Sequence, residues 1–311
     1  NNFTKAQIDS AFNTKTEMTV FNGKQYVDTL LSPIDSIRWD KYFLRCGFMS
    51  MNPYNGHIKA YVGGPNFSAF QYDMVNVGKR QVGSTVKPFL YTLAMEEGMT
   101  PCTRVPNVQP TFVLGDGTEW APRNDSKKKV GEMVTLRWAL SQSNNWISAY
   151  LIREYSPQSL VKLMHSFGIK SKLDPVISLC LGPVEVSVSE MVDAYTTFVN
   201  KGIKVDPLYV TRIEDNKGNV ISSFTPQYTE IISEETSHKM LEMLKAVINE
   251  GTGVRLRYRY QFKGDIGGKT GTTQNNSDGW FIGVTPELVS GTWVGGEDRS
   301  IHFDNLREGQ G

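Results

Sequence analysis

The sequence has little with which to build a disulfide framework or a metal centre. Its three cysteines, Cys46, Cys102 and Cys180, cannot all pair, and no C-x-x-C occurs. Cys46 and Cys180 sit among apolar residues, as buried free thiols do. The four histidines, His57, His165, His238 and His302, are scattered, so no His/Cys cluster points to a metal and no cofactor is implied. A dominant charge is missing too: 33 Lys and Arg stand against 32 Asp and Glu, a net charge of +1. That balance gives no global field toward nucleic acid or an anionic surface. No apolar run approaches a membrane span, and the opening NNFTKAQID is not a signal peptide. No internal repeat is visible.

What is present suits a globular chain with ample core: 311 residues, 39% hydrophobic and 21% charged, enough for one large domain or two smaller ones. Residues 1–40 are mixed and polar and read as a linker or small leading segment. From about residue 41 the pattern changes. GFMSMNPYNGHIKAYVGG reads as a hairpin turning at Asn52–Gly56. Thr100–Lys129 is rich in Pro, Gly, Asn and Asp and reads as irregular. TLRWALSQ and WISAYLIREY are helical patterns interrupted at Ser143-Asn144-Asn145, since Ser and Asn favour competing local hydrogen bonds. Helices continue through SLVKLMHSFGI and VSVSEMVDAYTTFVNKGI, the latter with a C-cap at Gly202. LYVTRIEDNKGNVISSF reads as a second hairpin, and ETSHKMLEMLKAVINEGTG as a helix ending at Gly251. DIGGKTGTT reads as a strand, and WFIGVTPELVSGTWVGG as a hairpin turning at Thr285–Leu288. Strands at both ends with helices between imply an α+β fold. One antiparallel sheet joins the first hairpin to the last three strands, with helices on both faces and an all-helical lobe.

Arg255–Tyr260, RLRYRY, alternates arginine with apolar or aromatic residues. It reads as an edge strand with a solvated basic face rather than a nucleic-acid contact.

The pattern S-x-x-K occurs at Ser84/Lys87, Ser126/Lys129 and Ser159/Lys162. Ser126 opens a charged lysine run, and Ser159 lies in a helix start after Pro157. Only Ser84 leads into a largely apolar helix, FLYTLAM, that can be buried and can desolvate its lysine. Residues i and i+3 share a helix face, so the Ser84 hydroxyl and Lys87 amine come within hydrogen-bond reach. Pro88 fits in a first turn, and the helix N-terminus stabilises developing negative charge. Ser84 is therefore a candidate nucleophile beside a candidate base. In Gly267-Gly268-Lys269-Thr270-Gly271-Thr272 the glycine spacing does not match a P-loop. A strand whose cation and hydroxyls meet a carboxylate is the alternative, with Gly271 letting a ligand backbone lie alongside.

Ser84-Thr85-Val86-Lys87, Ser143-Asn144-Asn145 and Lys269-Thr270-Gly271-Thr272 follow the order of the S-x-x-K, S-x-N and K-T-G motifs of penicillin-recognising serine acyltransferases. With RQVGSTVKPFLYTLAMEEG, ALSQSNNWISAYL, SVSEMVDAYTTFVNKGI and GGKTGTTQNNSDGWFIGVTP, residues 41–311 resemble the transpeptidase domain of class A penicillin-binding proteins. The resemblance implies a penicillin-binding, serine β-lactamase-like fold and a D,D-transpeptidase that cross-links peptidoglycan stem peptides. Ser84 would attack the penultimate D-Ala carbonyl, and Lys87 would take its proton. Ser143 would relay that proton to the leaving amine, and Asn145 would hold the substrate amide. The N–H groups of Ser84 and Thr272 would form the oxyanion hole. Lys269, Thr270 and Thr272 would take the carboxylate of D-Ala or of a β-lactam. The like charge of Lys269 and burial would both depress the Lys87 pKa.

The resemblance also implies work at the extracytoplasmic face of the bacterial membrane. Class A proteins carry a glycosyltransferase domain and a membrane anchor upstream, neither of which is in this chain, so a fragment is expected. In the family a last helix follows the equivalent of REGQG and would cover the strand Ser290–Gly295. The competing expectations are a D,D-carboxypeptidase, a serine β-lactamase, or a non-catalytic β-lactam-sensing domain. A β-lactamase needs a glutamate for deacylation, and Glu185 belongs instead to the approach of the transpeptidase pattern.

Overall fold

The computed structural model describes residues 3–305. The leading residues, expected as a linker or small leading segment, form a helix–hairpin–helix unit. Helix α1 (Lys5–Asn13) starts with a Thr4/Gln7 capping box, and the strands β1 (Thr16–Phe21) and β2 (Tyr26–Leu31) pair antiparallel. Helix α2 (Pro33–Lys41) has Ser32 as N-cap and proline in its first turn. Neither helix buries a residue, so no apolar stripe announces them in the sequence. The Trp39 indole of α2 donates to the Phe21 carbonyl of β1 at 2.8 Å inside the unit, and the Phe21 ring joins the unit to the body by meeting Phe70 edge-on at 5.6 Å.

Strands β3 (Arg45–Met51) and β4 (Ile58–Val62) form the first hairpin of the body, turning where the Asn-Pro and Asn-Gly chemistry requires. A two-residue strand β5 (Arg80–Gln81) leads through a 3-10 turn, Gly83–Val86, into α3 (Lys87–Glu96). Helices α4 (Leu136–Ser141), α5 (Asn145–Tyr155) and α6 (Pro157–Ser166) make the helical lobe, and the short β6 (Glu185–Val186) pairs with β5. Helices α7 (Val188–Val199), α8 (Glu234–Glu250) and α9 (Arg255–Tyr258) follow, and the strands β7 (Gly267–Thr272), β8 (Asp278–Val284) and β9 (Val289–Gly295) close the chain's order. The central sheet runs β7-β8-β9-β3-β4, all antiparallel, so the first hairpin joins the last three strands.

Alternation along the strands gives the sheet two unlike faces. Met49, Met51, Trp280, Ile282, Val289 and Trp293 are buried on one, beneath α7 and α8. Cys46, Phe48, Phe281, Thr292 and Val294 lie on the other and are only half-buried. A full second helical layer over this face is not among the described residues.

The apolar helix α3 is buried almost along its whole length, as an all-round apolar helix should be. Its Phe89 ring meets Phe167 at 5.2 Å and Tyr195 at 5.6 Å, both edge-on, so α3, α6 and α7 share one aromatic core.

Two local readings are corrected. RLRYRY opens with the short helix α9 and is not an edge strand. The Arg257 guanidinium folds back on its own neighbourhood, donating to the carbonyls of Phe262 and Gly264, both at 2.8 Å, and to Asn249. These local bonds outweigh the weak two-residue alternation. The end of α7 is also displaced from Gly202: Asn200 is the C-cap and Lys201 takes the left-handed φ of 55°. Gly202 comes next and its N–H closes the helix on the Thr197 carbonyl at 2.9 Å.

Candidate active site

Ser84 sits in a turn held from several directions. The Val82 and Gly83 N–H groups donate to the carbonyls of Val184 and Gly182, at 3.1 and 3.0 Å. The Tyr195 hydroxyl donates to the Thr85 carbonyl at 2.6 Å, and the Trp280 indole to the Gln81 carbonyl at 2.8 Å. Gly83 has φ +52°, and a Cβ there would lie 2.7 Å from the Thr272 carbonyl oxygen. Only glycine meets both demands. The turn therefore abuts the β7 edge.

The expected Ser84–Lys87 hydrogen bond is not formed: the Ser84 hydroxyl makes none among the described residues. The Lys87 amine turns instead to the S-x-N loop. It donates to the Ser143 carbonyl at 2.5 Å, to Asn145 Oδ1 at 2.6 Å and to the Ser143 hydroxyl at 3.3 Å. A fully buried ammonium needs several acceptors, and this loop supplies them. Lys269 reaches the same serine from β7, donating to Ser143 Oγ and to the Thr270 carbonyl, both at 2.9 Å.

Burial holds the Lys87 amine down at about 7, against smaller upward pulls from Cys180 and Asp125. Burial, and after it the charge of Lys87, pushes Lys269 well below its ordinary value. Like-charge repulsion was expected to act on Lys87; it falls on Lys269. The two amines share one hydroxyl and titrate as a pair.

Ser143 takes a left-handed φ of 54° in the break between α4 and α5, a conformation that costs a non-glycine residue about 1 kcal/mol. The strain is held from both sides. Asn144 caps α5 and donates to Asn107 at 2.9 Å. The Asn145 N–H donates to Asn124 Oδ1, and its side-chain amide to the Arg123 carbonyl, both at 2.6 Å. With Oδ1 on Lys87, the Asn145 amide is fixed in orientation.

At the β7 edge the Thr270 hydroxyl is 2.6 Å from that of Thr252. Thr252, Thr270, Gly271 and Thr272 border a groove of about 250 Å³ that continues toward Leu256 and Phe281. A Cβ on Gly271 would lie 2.7 Å from the Val82 carbonyl, so glycine is what lets this strand approach the Ser84 turn.

The family of the penicillin binding protein transpeptidase domain matches residues 46–294, and that of the penicillin-binding protein middle domain matches residues 1–44. The chain belongs to the penicillin-binding protein transpeptidase family. This transpeptidase domain is 33% identical over 253 residues to penicillin-binding protein 1A of Aquifex aeolicus, covering 81% of the chain and 34% of that relative. Against penicillin-binding protein 1A of Vibrio cholerae it is 31% identical over 288 residues, covering 81% and 35%. The crystal structure of penicillin-binding protein 1A from Haemophilus influenzae matches with a TM-score of 0.78 at 26% identity, over 83% of this chain and 44% of that one. These matches agree with the class A resemblance of the motifs. The chain spans about a third of the length of the curated relatives it matches.

The other two S-x-x-K serines of this transpeptidase domain are elsewhere: Ser126 makes a local turn with the Lys128 N–H, and Ser159 lies in the first turn of α6. Several residues at the site escape a sequence reading. Arg123 and Asn124 lie in the stretch read as irregular, though its Pro-Arg-Asn-Asp run is a turn signal that could have marked them. Thr252 stands between two glycines, where the sequence signals only a helix end. Tyr195 and Asp278 carry no signal of their roles, because the partners that place them at the site, Thr85 and Arg80, are remote in the sequence.

Proposed function

We propose that the domain is a peptidoglycan D,D-transpeptidase working through a serine acyl-enzyme. The observation that carries this reading is the pair of buried amines, Lys87 and Lys269, that share the Ser143 hydroxyl, with Lys87 three residues after a Ser84 whose own hydroxyl is unengaged. Ser84 Oγ attacks the carbonyl of the penultimate D-Ala, and its proton passes to neutral Lys87. The oxyanion is received by the N–H groups of Ser84 and Thr272; one such donor is typically worth about 3–4 kcal/mol. The terminal D-Ala leaves as its nitrogen takes a proton through Ser143. An amine from a second stem peptide then attacks the acyl-enzyme, and the same groups run in reverse.

Lys87 must be neutral for this, and burial is what holds its amine down. Bound by Thr270, Thr272 and Lys269, the substrate's carboxylate meets its counter-charge on Lys269 rather than on Lys87. Asn145 presents its remaining N–H toward the substrate amide. β-Lactams acylate the same serine. In the full-length protein, a glycosyltransferase domain and a membrane anchor precede this domain, which works on the extracytoplasmic face of the bacterial membrane.

Incubation with fluorescent penicillin, followed by peptide mapping, tests the proposal. A covalent adduct on Ser84 is expected. No adduct on the intact chain, or an adduct on another serine, overturns it.

A further inference from the structure

The oxyanion hole of this reading is assembled from two remote pieces, and something must hold them in register. Ser84 follows β5, while Thr272 ends β7. Asp278, the first residue of β8, is fully buried and lies against both. Its Oδ1 accepts from Arg80 Nε at 2.8 Å and from the Trp293 indole at 3.0 Å. Its Oδ2 accepts from the Thr273 hydroxyl at 2.7 Å and from Arg299 Nη1 at 3.0 Å. Arg80 is four positions before Ser84 and 198 from Asp278; Thr273 directly follows Thr272.

We propose that Asp278 is a positioning residue that locks the Ser84 and Thr272 backbones together as one oxyanion-binding unit. The inference rests on the acyl-enzyme reading above. A buried carboxylate is tolerable only when paired and hydrogen-bonded, and these four donors meet that demand with charge-assisted bonds. Those same bonds tie the strand entering the nucleophile's turn to the turn leaving the K-T-G-T strand. A second tie runs beside them, from the Trp280 indole on β8 to the Gln81 carbonyl on β5. Between the ties, Gly83 touches the Thr272 backbone with no room for a Cβ. A shift of either segment moves one donor relative to the other. Such a shift is felt when charge develops on the oxygen, and little before it.

The test uses the full chain and separates non-covalent penicillin binding from the acylation step by stopped-flow. Asp278→Asn keeps the side chain's size and removes its charge. Its acylation rate constant is expected to fall about 10- to 100-fold, with the non-covalent dissociation constant changed less than about three-fold. A boronic acid that forms a tetrahedral adduct on Ser84 should lose affinity by a comparable factor. Arg80→Lys, which keeps the positive charge but breaks the Nε bond, should show the same split and stands in if Asp278→Asn does not fold. An unchanged acylation rate in a folded variant overturns the inference, as does an equal loss in binding and acylation. Failure of the acyl-enzyme reading itself would appear differently, as absence of any adduct on the unaltered protein.

Discussion

The Lys269 amine lies 2.9 Å from the Ser143 hydroxyl that the Lys87 amine approaches from the other side at 3.3 Å. Two buried ammonium groups sharing one hydroxyl repel each other, and burial already disfavours each charge. The arrangement therefore favours a state with a neutral amine next to a serine near neutral pH, which is what proton transfer from a hydroxyl requires. The pair is made by elements from three parts of the chain: the start of α3, the α4–α5 break and the strand β7. Ser143 is the link between them.

The nucleophile assignment predicts a sharp contrast among three serines. Ser84→Ala should abolish covalent labelling by fluorescent penicillin. Ser126→Ala and Ser159→Ala should leave it within about two-fold of the unaltered protein, since both side chains serve local turns. In-gel fluorescence reads the result, and a labelled Ser84→Ala protein would refute the assignment.

The Lys87 amine at about 7 predicts a pH dependence with a definite sign. The base is active when neutral, so the acylation rate should rise with pH through about 7 and then level off. Stability moves the same way. Unfolded, the amine titrates near about 10.4, so between about 7 and 10 the unfolded chain holds a proton that the folded one lacks. Unfolding free energy should therefore gain from Lys87 as pH rises through that window and lose that gain as pH falls. Comparing denaturant unfolding of the wild type and Lys87→Met across the window reads the loss of Lys87 from the coupled pair. A variant whose pH slope matches the wild type would contradict it.

Asn124 should matter through Asn145 and not through the substrate. Asn124→Ala removes the acceptor of the Asn145 N–H at the start of α5. A loss of about 1 kcal/mol of stability is expected. The freed loop should also let the Asn145 amide turn away from Lys87, lowering acylation about ten-fold. Thermal melting and stopped-flow acylation measure the two effects, and full acylation activity in Asn124→Ala would remove Asn124 from the site's support.

The sheet and the central motifs are legible in the sequence because their signals are local. Asn-Gly at the first hairpin and the Thr285–Leu288 turn at the last set the strand pairs, and the Ser84, Ser143 and Lys269 motifs carry their own context. The leading segment is not legible, since its helices bury nothing and leave no apolar periodicity. RLRYRY misleads because six residues of alternation fit either period, and the deciding contacts of Arg257 are made only after folding. The Ser84–Lys87 hydrogen bond fails for a related reason. Sequence spacing puts the two side chains on one face, but a buried amine goes where acceptors are densest, and those are on the Ser143–Asn145 loop. Asp278 is opaque for the same cause: only Thr273 is near it in the sequence, and Arg80, Trp293 and Arg299 reach it by folding.

The last prediction concerns the fate of the acyl-enzyme. A β-lactamase frees its serine because a positioned carboxylate activates water, whereas a transpeptidase waits for an amine. Among the described residues no carboxylate is hydrogen-bonded to Ser84, Lys87 or Ser143. Glu185 is exposed on β6, where it pairs with Gln81. Glu190 is committed to capping α7 and to the N–H groups of Lys170 and Ser171, and these bonds hold its carboxyl below its ordinary value against the upward push of burial. Lys87 and Ser143 still take a proton from an incoming amine, because that is their first step reversed. The penicilloyl adduct on Ser84 should therefore persist for many minutes after free penicillin is removed, with negligible turnover of the drug. Intact-mass measurement over time decides the matter. Loss of the adduct within seconds, accompanied by catalytic hydrolysis, would make the domain a β-lactamase and the cross-linking assignment wrong.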